Sequence, residues 1–187
     1  MTGSKVPSKN STSTFTLVIG GARSGKSSFA ESLASASLRP RRYIATAQAW
    51  DDEMRARIAL HKDQRGADWV TVEAPFDLVS ALADAHEKEI VLVDCATLWL
   101  SNHLLVEADL DTVSKDFLNA TATCAAPVIV VSNEVGWSIV PDNALARTFR
   151  DAQGRLNQRM AAQADLVVAV MAGLPIVLKG QLPETTA

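Results

Sequence analysis

The chain has 187 residues, with 18 basic and 21 acidic side chains for a net charge of −3, and 48% of its residues are hydrophobic. This is one domain of ordinary size, too apolar and too balanced in charge for a disordered chain, and without the basic footprint of a nucleic-acid binder. Two cysteines, Cys95 and Cys124, exclude a disulfide framework or a zinc ribbon and fit a reduced cytoplasm.

Residues 1–14 are polar and rich in Ser, Thr and Lys. They lack the apolar core of a signal peptide and read as a flexible leader. Residues 15–180 read as a single nucleotide-binding domain, and residues 181–187 as a loose tail. No apolar run approaches the roughly 20 residues of a membrane span.

Within the domain, Phe15 to Ile19 (FTLVI) is an apolar strand that stops at Gly20-Gly21, and residues 24–37 carry helix formers. RYIATA at 42–47 is a second strand. Residues 51–65 read as a helix with three acids in its first turn, where the helix dipole favours them. A short strand is expected at 70–73 and a helix at 78–87. IVLVD at 90–94 is a buried strand by its continuous apolar character. A helix at 110–124, a strand at 128–132 and a long helix at 143–164 follow, the last with Leu145, Phe149, Leu156 and Met160 on related turns. LVVAVM at 166–171 and a short segment at 176–178 complete the series. Strands alternating with helices predict an α/β fold, a mostly parallel sheet covered on both faces. Ligands of such sheets sit beyond the carboxyl ends of the strands. The positions to watch are therefore Gly20 onward, Ala45 to Gln48, Asp94 onward, and Asn133-Glu134.

Residues 20–27 read GGARSGKS and match G-x-x-x-x-G-K-[ST] between a strand and a helix, the context that the phosphate-binding loop requires. Gly20, Gly21 and Gly25 allow a tight turn that brings backbone N–H groups of Gly20, Gly21, Ala22, Arg23, Ser24 and Gly25 toward phosphate oxygens. The helix beginning beside Ser24 aims its positive end at the same anion. Lys26 is a point charge for the β- and γ-phosphates, and Ser27 offers a hydroxyl to Mg²⁺. Asp94, closing its strand, is the expected acidic partner for the metal. Cys95 beside it reads as a small packing residue.

A second constellation lies in DDEMRARIALHKDQR at 51–65. At about 100° per residue, Met54, Ile58, His61 and Arg65 share one helix face. His61 is then either a core histidine beside Met54 and Ile58, or a histidine in an anionic phosphate site. In the second case a neutral imidazole can attack phosphorus, with Lys62 and Arg65 to hold the phosphates. His86 reads as exposed helix surface, and His103 has no assigned role. Arg147, Asp151 and Arg155 form an i, i+4, i+8 stripe, with Arg150 beside it. It is either a solvent-facing ion-pair stripe or a contact for phosphate or a neighbouring subunit.

Taken together, GGARSGKS at 20–27, YIATAQAWDDEMRARIALHKDQR at 43–65, VLVDCATLWLSN at 91–102 and the segment from SNEVG to VLKG at 132–180 resemble one family. It is the bifunctional adenosylcobinamide kinase / adenosylcobinamide-phosphate guanylyltransferase family of cobalamin biosynthesis. The resemblance implies a RecA-like P-loop NTPase fold and a cytoplasmic enzyme with two activities. One phosphorylates adenosylcobinamide with ATP or GTP. The other transfers GMP from GTP through a covalent histidine, giving adenosylcobinamide-GDP and pyrophosphate. The histidine aligns with His61; some relatives carry a histidine pair there, but here Leu60 precedes it and only His61 can serve. The implied nucleotide contacts are Gly20 to Ser27, Ala45, Thr46, Ala47, Lys62, Asp63, Gln64, Arg65, Glu73 and Asp94, with Mg²⁺ on Ser27 and Asp94. The implied partners are nucleotide and corrinoid substrates and a homo-oligomer, a trimer. The rival readings are a plain small-molecule P-loop kinase and a nucleotide-dependent switch without turnover.

Overall fold

The computed structural model describes residues 14–48 and 68–183. The expected helix at 51–65, with His61 to Arg65, lies outside the described residues, as do residues 1–13 and 184–187.

Seven strands form one sheet: β1 (Phe15–Gly20), β2 (Arg41–Ala45), β3 (Trp69–Glu73), β4 (Ile90–Asp94), β5 (Val128–Asn133), β6 (Leu166–Met171) and β7 (Leu174–Lys179). Their order across the sheet is β3-β2-β4-β5-β1-β6-β7. Every neighbouring pair is parallel except β6–β7, a tight antiparallel hairpin. The expected mostly parallel α/β sheet is therefore the observed one. β7 is longer than the segment expected at 176–178, and it is exposed along its length at the sheet edge. Its edge carries Pro175 and Lys179, residues that discourage further strand pairing.

Five helices are described: α1 (Lys26–Ala36), α2 (Leu78–Ala83), α3 (Ala96–Leu105), α4 (Leu110–Thr123) and α5 (Ala144–Gln163). The alternation of a strand's side chains sends successive residues to opposite faces. Leu17 and Val93 thus join the core under α2, α3, α4 and α5, whereas Val18 and Leu92 join the core under α1. Trp99 and Phe117 fill the first core with ring centroids 5.1 Å apart.

Two further features differ from the sequence expectation. α2 ends at Ala83, so His86 lies past it rather than on helix surface. There His86 Nδ1 accepts from the Lys88 N–H at 3.2 Å, in the turn that leads to β4. The segment ATLWLSNHLL forms α3, a helix the sequence reading did not identify. It starts one residue after β4 ends, without the polar loop that ordinarily announces a helix, and the apolar run of strand and helix is nearly continuous. His103 sits on this helix, with Nε2 3.2 Å from the Phe76 carbonyl and its ring edge-on to Trp99 and Phe76.

Candidate nucleotide site

β5 lies between β4 and β1, so the carboxyl ends of β1, β4 and β5 meet at one rim of the sheet. β1 delivers the GGARSGKS turn, β4 delivers Asp94, and β5 delivers Asn133 followed by Glu134.

The turn is built by carbonyls directed inward. Gly20 O accepts from the Glu134 N–H at 3.1 Å, and Ser24 O from the Gly173 N–H at 2.8 Å. Gly21 O accepts from both Lys26 Nζ at 3.1 Å and the Ser24 N–H at 3.3 Å. Gly21, Ala22, Arg23 and Gly25 are left exposed. Gly25 has φ +93°, a left-handed conformation open to glycine, and a Cβ there would lie 3.2 Å from Gly173 Cα. A Cβ on Gly20 would lie 2.5 Å from Val170 O. Both glycines are therefore required by the β6–β7 hairpin packed behind the turn.

Helices α2, α3, α4 and α5 each begin with a side chain that accepts a backbone N–H: Asp77, Cys95, Asp109 and Asn143. α1 begins on Gly25 and has no side-chain cap. Its first-turn N–H groups point their dipole out of the sheet rim, the arrangement that binds phosphate. Ser24 Oγ in the same turn is buried and finds no partner among the described residues. A buried polar atom without a partner is costly unless a ligand supplies one.

Lys26 is buried, at 9% exposure. Burial holds its ammonium below the ordinary pKa, against the raising pull of nearby Cys95 and Asp94. An incoming polyphosphate would supply the missing negative charge. One oxygen of Asp94 accepts from the Tyr43 hydroxyl at 3.1 Å. Ser27, in the first turn of α1, and Asp94 are hard oxygen donors that suit Mg²⁺, and the orphaned Ser24 hydroxyl belongs to the same turn. The donor set fits a metal–nucleotide complex.

The other strand ends are placed as follows. Ala45 pairs with Asp94 on one side and Glu73 on the other. Glu73 is exposed, and Ala47 is half-buried. Thr46 is fully buried, and its polar groups are engaged within the protein. Its N–H donates to Asp94 O at 3.2 Å, its carbonyl accepts from Asn102 Nδ2 at 3.0 Å, and its hydroxyl bonds both backbone groups of Cys95. Thr46 thereby fixes the peptide after Asp94. Burial, followed by the neighbouring Asp94 charge, pushes the Cys95 thiol up to about 12, which makes it inert as a nucleophile. Arg147 Nη1 donates to the carbonyls of Pro141 and Asp142 at 2.8 and 2.6 Å and closes the loop before α5. Arg150 pairs with Asp151 at 3.2 Å.

Several residues that shape the site went unnoticed in the sequence. Tyr43, Thr97, Asn102, Gln153 and Asn157 act through partners 21 to 56 positions away. The available signal was polar side chains set inside apolar runs, such as Thr97 and Asn102 in ATLWLSNHLL.

A family model described as cobinamide kinase / cobinamide phosphate guanyltransferase matches residues 16–178. Among characterised proteins, the bifunctional adenosylcobalamin biosynthesis protein CobP of Pseudomonas aeruginosa is 44% identical over 168 residues, which cover 88% of this chain and 97% of that protein. The bifunctional adenosylcobalamin biosynthesis protein CobU of Salmonella typhimurium is 42% identical over 179 residues, covering 87% and 98%. Among solved structures, the flagellar accessory protein FlaH of Methanocaldococcus jannaschii matches with a TM-score of 0.51 at 13% identity, over 91% of this chain and 80% of that one. The RadB recombinase matches with a TM-score of 0.50 at 15% identity, over 93% and 84%. At such low identity these two likenesses speak for the α/β fold alone.

Proposed function

The chain belongs to the cobinamide kinase / cobinamide phosphate guanyltransferase family, and from that premise we propose how its own residues divide the two reactions. It is a bifunctional enzyme of cobalamin biosynthesis. The observation that carries the site assignment is the uncapped N-terminus of α1, set behind a glycine turn with the buried Lys26 beside Asp94.

In the kinase step the substrate is adenosylcobinamide, with ATP or GTP as donor. The backbone of Gly20 to Ser24 and Gly25 cradles the nucleotide phosphates, and Lys26 balances charge on the transferring group. The hydroxyl of the substrate's aminopropanol arm attacks the γ-phosphorus, the bond to the β-phosphate oxygen breaks, and the hydroxyl proton is lost to solvent. Ser27 and Asp94 would hold Mg²⁺, which supplies charge neutralisation between the phosphates.

In the transferase step His61 attacks the α-phosphorus of GTP and pyrophosphate leaves. The phosphate of adenosylcobinamide phosphate then attacks the histidine-bound GMP, which frees the imidazole and yields adenosylcobinamide-GDP. The chemical support is the neutral imidazole available near pH 7 in a stretch that also carries Lys62 and Arg65. Asp63, Gln64, Ala45 to Ala47 and Glu73 complete the proposed nucleotide contacts. A homotrimer in the cytoplasm belongs to the same proposal. The exposed apolar residues of β7, Leu174, Ile176 and Leu178, support a subunit contact, and no described helix is long and apolar enough to cross a membrane.

The test is retention of label from α-³²P GTP after denaturation. Acid-labile, alkali-stable label that disappears in His61→Ala, with corrinoid phosphorylation intact, is the expected result. Absence of label from the unaltered enzyme, with phosphorylation intact, would reduce the protein to a plain kinase. GTP binding without either product would make it a switch. Light scattering of the purified protein reads the assembly directly.

A further inference from the structure

β5 separates the strand of the phosphate-binding turn from the strand of Asp94, so any shift of its end alters the distance between those two groups. That end is not left to sheet hydrogen bonds. The Asn133 N–H donates to Thr97 Oγ1 at 2.7 Å, and the Asn133 carbonyl accepts from Asn157 Nδ2 at 3.1 Å. The next N–H, of Glu134, donates to Gly20 O, the carbonyl where the turn begins. Thr97 lies in the first turn of α3, three residues after Asp94, and Asn157 lies in α5. Two helices thus grip both backbone groups of one residue.

The grip is itself braced. The Ser132 hydroxyl donates to Asn157 Oδ1 at 2.6 Å and lies 3.4 Å from Thr97 Oγ1. Gln153 Nε2 donates to Ser132 Oγ and to Asn157 Oδ1, both at 2.9 Å. All four side chains are buried, with exposures of 0 to 7%. Gln153 Oε1 finds no partner among the described residues, but the other side-chain polar atoms of the four are bonded to one another or to Asn133, and such a set of buried bonds specifies one arrangement. Packing alone would have been served by apolar residues at these positions, so the choice of polar ones calls for an explanation in terms of geometry.

We propose that Thr97 and Asn157 are positioning residues for phosphoryl transfer: by clamping Asn133, and through Glu134 the start of the phosphate-binding turn, they set the spacing between that turn and Asp94. The inference rests on the reading of this rim as the metal–nucleotide site. Thr97→Val keeps the volume and removes the acceptor for the Asn133 N–H. Thr97→Ser keeps that acceptor.

The experiment uses the full chain and two readouts. Hydrogen exchange of the Asn133 and Glu134 amides, without nucleotide, should accelerate on the order of tenfold in Thr97→Val and return in Thr97→Ser. The Mg²⁺ concentration for half-maximal phosphorylation of adenosylcobinamide should rise on the order of tenfold in Thr97→Val, because sub-ångström misplacement is costly in such sites. Asn157→Ser, too short to reach Asn133 O, should move the Mg²⁺ requirement the same way and serves if Thr97→Val does not fold. Leu82→Ala, a core truncation under α2, should lower the melting temperature without raising that requirement. Wild-type exchange at both amides in Thr97→Val would overturn the clamp, as would an equal rise in Mg²⁺ requirement in Leu82→Ala. A wild-type enzyme with no metal dependence would overturn the nucleotide-site reading, and the exchange result would still decide the clamp.

Discussion

Thr46 and Cys95 are joined twice through one hydroxyl: Thr46 Oγ1 donates to the Cys95 carbonyl and accepts from the Cys95 N–H, both at 2.8 Å. This stitch ties the end of β2 to the peptide that follows Asp94, and Asn102 secures it from α3 by donating to Thr46 O and Pro75 O at 3.0 and 2.9 Å. Thr46→Val removes the hydroxyl at constant volume, leaves the buried Cys95 N–H without its acceptor, and leaves the Cys95 carbonyl with the Trp99 N–H alone. Chemical denaturation should show a loss of about 1–3 kcal/mol. Thr46→Ser should keep most of the stability.

Lys26 is held in place at a cost to the free protein. Its pKa is lowered because burial penalises the ammonium. Where the folded pKa lies below the unfolded one, stability rises with pH between the two values, since the native chain sheds its proton first. Lys26→Met should therefore leave the fold at least as stable at neutral pH, while the phosphoryl-transfer rate falls on the order of 10²–10³-fold. Circular dichroism melting and a kinase assay on the same preparation check the pair of outcomes.

The same lowered pKa sets the pH dependence of nucleotide binding. Bound phosphates restore the charged form, so binding takes up a proton when the free protein has lost it. Affinity for GTP should be greatest below the folded pKa of Lys26 and weaken as pH rises through it, starting below the ordinary value of 10.5. The Lys26→Met variant should lack this alkaline limb. Calorimetric titrations at stepped pH would measure it, and an identical limb in both proteins would assign it to another group.

Both cysteines are protected. Cys95 is pushed to about 12 and Cys124 is raised as well, burial being the leading cause in each case. Neither should react with a thiol reagent at pH 8 in the native enzyme, and both should react in denaturant. Rapid native-state labelling of Cys95, read by mass spectrometry, would contradict the burial of the peptide beyond Asp94.

Gly25 precedes α1 at φ +93° with Gly173 packed against it. Gly25→Ala imposes a left-handed alanine and crowds the β6–β7 hairpin. A destabilisation of about 1–3 kcal/mol is expected, together with weaker nucleotide binding, because the turn and the hairpin must separate to admit the methyl group. Denaturation and fluorescence titration with a labelled guanine nucleotide would measure the two effects.

Much of this molecule is written in short-range order. The phosphate-binding turn is legible because its chemistry depends on neighbours within eight positions, and the parallel sheet is legible because each apolar strand is followed by a helix. The bounds of the last long helix, expected at 143–164 and observed at Ala144–Gln163, follow from the Asn143 cap and the run of helix formers. α3 escaped because it begins in the shadow of β4, where apolar strand and apolar helix merge and Cys95 is a weak cap. Only the tertiary structure decided that Thr46 holds the Cys95 peptide, that His103 packs on the Phe76 ring, and that Thr97 and Asn157 meet at Asn133. Those partners are 24 to 49 positions apart, and a hydrogen bond between them exists only once the strand order has brought β4, β5 and β1 side by side. Residue types and local spacing determined what chemistry this chain carries; the sheet's order decided which groups stand close enough to perform it.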